Sequence, residues 1–268
     1  MTVRNIYFDA TKGFLIILVI LGHVILGSLN ENTLRYIIYF FHMPLFLAVT
    51  GYFISQKTIS LSVKEILGKY KKRLIIPFII AFVIYTNKGL IDIQSYLYPY
   101  YHLWYIPAII LFVLYTKFVL FLYKINKIIS IILMALFVMC TIFFESYSQW
   151  NLSSDNLYSS LGDKRFFYFF SYFMFGYFLA NIRQSLNINH YVCFFIIFIS
   201  IVVHIISNSS IVEGVSKVVA NIFIIYLLTQ HNTTQQLYYR HFISDRKSFF
   251  TYLFMACNTY SNIKKTSA

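Results

Sequence analysis

The sequence has 268 residues, of which 59% are hydrophobic and 12% are charged. Because a soluble domain carries roughly a quarter charged residues, this chain has too little polar surface to form a soluble globule. The net charge of +13 does not indicate nucleic-acid binding, since the basic residues cluster between apolar blocks and not on one folded face. The composition therefore predicts an all-α, polytopic transmembrane helical bundle.

Apolar blocks recur along the chain, each close to the ~20 residues that a helix needs to cross a bilayer. The third block is the weakest, because Asn87 and Lys88 fall near its end. A later apolar segment, "SFFTYLFMAC", has about ten residues and is too short to cross. We predict about eight spans, which this short segment follows. The predicted spans are Phe14–Leu29, Leu34–Ser55, Leu74–Leu90, Leu103–Leu122, Ile128–Phe144, Phe166–Ile182, Tyr191–Ser207 and Val215–Gln230.

Basic residues are distributed unevenly between the segments that link these blocks. The segments on the same side as the N-terminus hold most of the Lys and Arg residues, including Lys12 and the run Lys69–Arg73. Since basic residues are retained on the cytoplasmic side of a membrane, the N-terminus is predicted to be cytoplasmic.

An ionisable side chain, His23, lies within the first apolar block, where such residues are costly and usually functional. Lys12 precedes it by eleven residues, which at 100° per residue places both side chains on one helix face. Their axial separation is about 16 Å. His42, in the "FFHMPLF" of the second block, falls at a similar depth when it is counted from the opposite surface. This count leaves open whether the two imidazoles face each other.

The two histidines have two interpretations. In the first, each imidazole forms a hydrogen bond to a neighbouring helix and stabilises packing. In the second, a neutral imidazole acts as a general base near pH 7. The second is favoured because two histidines at one level share a bundle with an aligned lysine. No Asp or Glu is predicted at that depth, so neither a Ser-His-Asp arrangement nor a metal site is supported.

A basic cluster, "GKYKKRLIIPF", precedes the third block and contains Lys69, Lys72 and Arg73. By itself this cluster is typical of cytoplasmic anchoring. Its density would also suit a phosphate-rich cytosolic ligand.

An aromatic cluster, "SYLYPYYHLWYI", is predicted on the opposite side and contains Tyr101, His102 and Trp104. Aromatic belts are common at membrane interfaces. Aromatic faces also stack on sugar rings, so these three residues are candidates for binding a sugar substrate.

Five segments, taken together and in this order, resemble the acyltransferase 3 family of integral-membrane O-acyltransferases of bacterial surface glycans: "YFDATKGFLIILVILGH", "FFHMPLFLAVTGYF", "KKRLIIPF", "HLWYIPAIIL" and "FFSYFMFGYFLA". The resemblance is closer to the fucose 4-O-acetylase-like branch. The family's pattern of a basic residue, ten intervening residues and a histidine falls on Lys12 and His23, with Lys where many members have Arg. The family's basic pair before the third span corresponds loosely to Lys69, Lys72 and Arg73, with a spacing that differs from Arg-x-x-Arg.

The resemblance implies transfer of an acetyl (acyl) group from cytosolic acetyl-CoA to a sugar hydroxyl of a cell-surface or lipid-linked glycan. It implies a multi-pass protein of the bacterial cytoplasmic membrane that needs no metal. The acetyl-CoA phosphates would lie near Lys12 and the basic cluster. His23 would deprotonate the hydroxyl, with His42 as helper or second base, or catalysis would pass through a transient acetyl-histidine.

Typical members of the resembled family are longer, with about ten helices. We therefore expect residues 1–268 to form a single integral-membrane domain, truncated at its C-terminus relative to those members. Two alternatives stay open: a transporter or flippase of lipid-linked sugars, and an inactive truncated member of the family. A transporter is expected to show paired halves with broken helices, and no such symmetry is evident in the sequence.

Overall fold

The computed structural model describes residues 6–25, 31–86, 103–147, 163–182 and 188–230. Within those ranges the regular elements are helical, in agreement with the predicted all-α class, and a π-helical turn, Lys71–Ile75, joins two of them. In chain order the helices are α1 (Ile6–Val24), α2 (Thr33–Tyr52), α3 (Gln56–Ser60), α4 (Val63–Tyr70), α5 (Ile76–Thr86), α6 (Tyr105–Ile125), α7 (Lys127–Ser146), α8 (Arg165–Tyr168), α9 (Phe170–Ile182), α10 (His190–Ile206) and α11 (Ser210–Gln230).

Four of the described helices, α2, α6, α7 and α11, are long and apolar enough to cross a bilayer by length and composition. Shorter apolar stretches accompany them in α1 and α10. The outer surface of α7 is strongly apolar, with Ile131 62% and Met139 63% exposed. Such a surface suits contact with lipid tails. The chain is a multi-pass helical membrane protein, and the count of about eight spans stays a prediction.

The described helices overlap all of the predicted spans, but α1 begins earlier than its apolar block. It starts at Ile6, whereas the predicted span starts at Phe14. The intervening residues include Asp9, Thr11 and Lys12, which lower the hydropathy without preventing a helix. Hydropathy therefore detects the part of α1 that suits lipid and misses the polar turns before it.

Helices α3 and α4 form a short polar segment that is held against α6. Each begins at a serine N-cap, and Ser62 and Glu65 form a capping box at the start of α4. The ammonium group of Lys117, on α6, donates to the carbonyl oxygens of Ile59 (3.0 Å) and Leu61 (2.7 Å). A lysine that hydropathy places inside a span thus satisfies carbonyl groups where α3 ends.

Helices α2 and α9 cross with their backbones in close contact at two glycines. A Cβ atom on Gly51 would lie 2.0 Å from the carbonyl oxygen of Phe173, and one on Gly176 would lie 1.9 Å from that of Ala48. No side chain fits at either position, so both glycines are required by the crossing. Small residues permit such close approach in membrane bundles, where lipid offers no hydrophobic drive for helix association. This crossing fixes α2, which carries much of the site described below.

Helix α2 contains Pro44, which removes one hydrogen bond from the helix. Proline has no N–H group, so the carbonyl oxygen of Phe40, four residues earlier, loses its normal donor. The side-chain amide of Asn221, on α11, donates to that oxygen at 3.0 Å. Asn221 is fully buried, and the same amide also donates to the carbonyl oxygen of Lys217. A neighbouring helix therefore supplies the bond that the proline takes away.

Candidate active site

The C-terminus of α2 meets α1 through a cation–π contact. The ammonium group of Lys12 lies 3.6 Å from the centre of the Phe53 ring, and Phe53 is the residue at which α2 ends. Attraction between a cation and an aromatic face holds the two helices together here. We call this region the Lys12 end of the bundle. The α3–α4 segment follows directly after Phe53.

The basic cluster predicted to bind a phosphate-rich ligand is divided in the structure. The ammonium group of Lys69 donates to the hydroxyl of Thr58 at 2.6 Å, which ties α4 to α3. Lys72 and Arg73 are exposed and lie in the π-helical turn. Such turns within helical segments occur frequently at functional sites. Lys72 and Arg73 thus present their charges outward, whereas Lys69 also has a structural contact.

The opposite end of α2 borders a cavity of about 690 Å³, which we call the outer cavity because the predicted orientation of the chain places this end of α2 outside the cytoplasm. Ligand sites ordinarily occupy roughly 300 to 1,000 Å³. Aliphatic and aromatic side chains of α1, α2, α6 and α8 form most of the walls, including Ile16, Tyr39 and Tyr105. The ionisable residues that line it are Arg35, His42, Glu145, Lys164, Arg165 and Lys217.

His42 lines the outer cavity and is almost completely buried, with 2% exposed. Its Nδ1 lies 2.7 Å from the carbonyl oxygen of Ile38. Because a carbonyl only accepts, Nδ1 carries the proton, and the Nε2 of a neutral ring keeps its lone pair. The edge of the ring packs against Tyr39, with centroids 5.0 Å apart. The backbone and Tyr39 thus orient an imidazole whose second nitrogen is basic.

His23 lies near the end of α1, and its side chain is outside the described part of the structure. Its neighbour Gly22 faces α2 closely: a Cβ atom there would lie 3.0 Å from the Tyr39 ring and 3.3 Å from Ile38. Since Ile38 and Tyr39 stand about one helical turn before His42, the two histidines belong to adjoining turns of packed helices. The predicted common depth of the two imidazoles stays a prediction.

Two ion pairs border the outer cavity. Lys217 and Glu145 pair at 2.6 Å, and the Glu145 side chain is 6% exposed. Arg165 pairs with Asp163 through both carboxylate oxygens. Glu145 lies near the end of α7, Arg165 begins α8, and Lys217 lies within α11.

Trp104 lines the same cavity and is buried, with 5% exposed. Its ring stacks on Phe169 with centroids 5.4 Å apart, and the guanidinium of Arg165 lies 4.7 Å from the ring centre. Trp104 therefore also orients Arg165 within the cavity wall. Tyr101 and His102, which were predicted to bind a sugar together with Trp104, lie outside the described residues.

Three charged residues that line the cavity were not predicted from the sequence: Glu145, Arg165 and Lys217. Each is a charged residue at the end of an apolar block, where a charge is ordinary. Glu145 was the residue that could have indicated this site from the sequence. Acidic residues are scarce in this chain, and an acidic residue at the edge of a span needs a basic partner. Within the described ranges, no three His, Cys, Asp or Glu side chains come together in a group that would hold a metal ion.

Comparison with known proteins agrees with this membrane architecture. The family profile described as an acyltransferase domain, that of acyltransferase 3, matches residues 5–257. Among curated proteins, the chain is similar to the nodulation protein NolL of Sinorhizobium fredii, with 40% identity over 83 residues. That match covers 28% of this chain and 23% of the relative. NolL of Mesorhizobium japonicum is 35% identical over 83 residues, covering 28% and 22% of the two chains.

The matched segment thus represents less than a quarter of the length of either relative. No solved structure matches the chain. The family profile, in contrast, covers nearly the whole sequence, including both ends of α2 and the outer cavity. The chain belongs to the acyltransferase 3 family.

Proposed function

We propose that this protein is a membrane O-acyltransferase that moves an acetyl group from cytosolic acetyl-CoA to a sugar hydroxyl of a cell-surface or lipid-linked glycan. Residues 1–268 would act as one integral-membrane domain in the bacterial cytoplasmic membrane, with the N-terminus in the cytoplasm. The observation that carries the proposal is the pairing of α1 and α2. They lie together from the contact of Lys12 with Phe53 to the cavity that contains His42.

The acyl donor would bind at the Lys12 end. Lys12 and the exposed Lys72 and Arg73 supply positive charge for the phosphates of acetyl-CoA, and Lys69 adds to it from its position on Thr58. Lysine and arginine are the side chains that recognise phosphate groups most often. Along α1 the rise from Lys12 to His23 is about 16 Å, which suits an extended arm carrying a thioester toward the outer cavity.

The two histidines would perform the proton transfers. The imidazole of His23 takes the proton of the acceptor hydroxyl, and the hydroxyl oxygen forms a bond to the carbonyl carbon of the thioester. The carbon–sulfur bond then breaks, and the imidazolium returns the proton to the departing thiolate. The Nε2 of His42 would assist as a second base, since its Nδ1 is occupied by the carbonyl of Ile38. An acetyl-histidine intermediate is the covalent variant of this scheme.

The sugar acceptor would enter the outer cavity from the side opposite the donor. Trp104 lines that cavity beside Arg165, and Tyr101 and His102 directly precede the described start of that segment. An aromatic wall with a few polar groups is the usual composition of a ligand pocket. The size and the aromatic lining of the outer cavity support a carbohydrate acceptor.

Transfer of radiolabelled acetyl from acetyl-CoA to membrane glycan tests the proposal. Membranes containing the wild-type protein should label the glycan, and His23→Ala should abolish labelling while the protein still inserts. His190→Ala provides the matched control, because His190 is exposed at the start of α10. Absence of label with wild-type protein, or full label with an inserted His23→Ala variant, would contradict the proposal. Movement of glycan across the membrane without acetylation would indicate a transporter.

A further inference from the structure

A second cavity, of about 840 Å³, lies between α3, α6 and α9. We call it the Lys124 cavity. It borders the last turns of α6 and α9, where Lys124 and Asn181 line it. The α3–α4 segment forms another wall, which places this cavity at the Lys12 end of the bundle. The proposed reaction uses neither this cavity nor Lys124.

The apolar walls of the Lys124 cavity reach the lipid-facing surface. Phe118 and Phe121, on α6, line the cavity and are 54% and 57% exposed. Helix α6 is long and apolar enough to cross a bilayer, so its exposed aromatic side chains lie against lipid tails. An acyl chain can therefore enter the cavity from the bilayer. Contact with a tail does not distinguish one lipid from another, because all tails are equally apolar, and selectivity has to come from the headgroup.

Lys124 supplies the charge that a headgroup would meet. It is exposed and lies in the last turn of α6, where the helix reaches the membrane interface. Tyr123 precedes it and also lines the cavity, and tyrosine is common at the interface. No Asp or Glu occurs among the described residues that line this cavity. Within the described ranges, Lys124 forms no ion pair. Its ammonium group is thus an exposed cation beside an apolar cavity.

Lys117 lines the same cavity two turns deeper. It precedes Lys124 by seven residues, which is 20° short of two full turns, so the two side chains share a face about 10 Å apart along the axis. The ammonium group of Lys117 donates to the carbonyl oxygens of Ile59 and Leu61, which leaves one of its three N–H groups. The carboxylate of Glu65, on α4, also acts on Lys117. Lys124 is therefore the main source of positive charge at this cavity.

We propose that the Lys124 cavity binds an anionic phospholipid of the leaflet at the Lys12 end, with its phosphate at Lys124 and an acyl chain along Phe118 and Phe121. Basic pockets between membrane helices bind anionic lipid headgroups in this way. A zwitterionic lipid also carries a phosphate, but its own ammonium group opposes the attraction to lysine. A lipid in this cavity rests against Ile59 and Val63 and so stabilises the α3–α4 segment. The inference does not depend on the proposed acyl transfer.

Mass spectrometry of the intact protein measures this binding without an acyl donor or a sugar. The purified full-length protein, in detergent, is mixed with equal amounts of phosphatidylglycerol and phosphatidylcholine that carry the same acyl chains, and the retained phospholipids are counted. We expect phosphatidylglycerol to be retained about fivefold or more over phosphatidylcholine, as one basic residue near a membrane surface provides. It should also raise the melting temperature more, because a ligand of the folded state stabilises that state. Equal retention of the two lipids would overturn the inference.

Glycerol phosphate separates a lipid site from a site for a soluble phosphate. It carries the headgroup charge without the acyl chains, so it should not displace the retained phosphatidylglycerol at equal concentration. Displacement would show that the cavity recognises phosphate alone and would contradict a lipid ligand.

Four variants assign the binding to this cavity. Lys124→Gln should abolish the preference for phosphatidylglycerol, whereas Lys64→Gln, at an exposed lysine of α4 that does not line the cavity, should keep it. Phe121→Ala should lower the retention of both lipids and keep their ratio. Phe198→Ala, at an exposed phenylalanine of α10, should change neither. A preference that survives Lys124→Gln, or that Lys64→Gln abolishes equally, would overturn the inference. Because none of these measurements involves acetyl transfer, their outcome is separate from that of the proposed function.

Discussion

Lys12, in the second turn of α1, contacts Phe53, at the end of α2, with the ammonium group 3.6 Å from the ring centre. The aromatic face orients the lysine without neutralising its charge. A cation held against a ring in this way is suited to a ligand that carries the opposite charge. The arrangement leads to a prediction about donor binding.

Replacing Lys12 with alanine should raise the KM for acetyl-CoA about tenfold or more, with a smaller effect on kcat. The reason is that the positive charge would stabilise the bound donor equally in the ground state and in the transition state. Lys12→Arg should be mild, since a guanidinium also stacks on an aromatic ring. Phe53→Leu is the matched control: it keeps the charge and removes a cation–π contact worth about 0.5 to 2 kcal/mol. If Lys12→Arg and Lys12→Ala raise the KM for acetyl-CoA equally, the shape of the lysine side chain matters and not its charge.

His42 can be tested with a substitution that separates packing from chemistry. Asparagine at position 42 can still donate a hydrogen bond to the carbonyl of Ile38, which Nδ1 now does at 2.7 Å, but it cannot accept a proton near pH 7. We expect His42→Asn to retain the thermal stability of the wild type and to lower acetyl transfer about 100-fold or more. Wild-type transfer in a stable His42→Asn protein would assign His42 to packing.

The bond between Asn221 and Phe40 predicts a specific non-additivity. Asn221→Ala should cost about 1 to 3 kcal/mol of unfolding free energy, because it leaves the buried carbonyl of Phe40 without a donor. In a Pro44→Ala background the backbone N–H of residue 44 supplies that donor, so the same Asn221→Ala change should cost clearly less. A double-mutant cycle on thermal unfolding in detergent measures the coupling. Additive effects would show that Asn221 stabilises the bundle by another contact.

The crossing of α2 and α9 predicts a sharp difference between two glycines. A Cβ atom at Gly176 would lie 1.9 Å from the carbonyl oxygen of Ala48, whereas one at Gly68 would have nothing within 4 Å. Gly176→Ala should therefore separate the helices and destabilise the protein by about 1 to 3 kcal/mol or more. Gly68→Ala should be neutral or stabilising by about 0.5 to 1 kcal/mol, since Gly68 lies within α4. Equal stability of the two variants would mean that α2 and α9 are not packed this closely.

Sidedness can be tested at two exposed positions. Single cysteines replacing Gly68, on α4, and Asn208, between α10 and α11, are introduced in a background without the three native cysteines. On intact cells a membrane-impermeant maleimide should label position 208, and position 68 should react only after lysis. The basis is the concentration of basic residues around α4, which favours the cytoplasmic side. The reverse pattern would place the Lys12 end away from cytosolic acetyl-CoA and contradict the proposed donor route.

Helix positions followed from hydropathy because an apolar block in lipid has to satisfy its own backbone. The capped helices α3 and α4 left no such signal, since their residues are mostly polar and their stability depends on serine caps and on Lys117. The outer cavity could not be derived either. In the sequence, a charged residue at the end of a span is an ordinary flanking residue, and only the packed structure shows which of these residues line one cavity.

The burial of His42 and the ion pair between Glu145 and Lys217 are consequences of tertiary packing. Lys12 and His23 could be aligned because they share one helix, and the period of a helix is known in advance. Glu145 and Lys217 are on different helices, α7 and α11, so no periodicity relates them. Pro44 signals a carbonyl without its donor, but the sequence does not identify Asn221 as the residue that fills it.

The bond from α11 to α2 also sets a time order for making the protein. Phe40 leaves the ribosome 181 residues ahead of Asn221, an interval of roughly 10 to 40 seconds at ordinary rates of synthesis. During that interval α2 has been synthesised, but Asn221, which donates to the carbonyl oxygen of Phe40, has not yet been translated. The turn that holds His42 is therefore completed when α11 docks, and a chain whose synthesis stops before α11 has an α2 that lacks this bond.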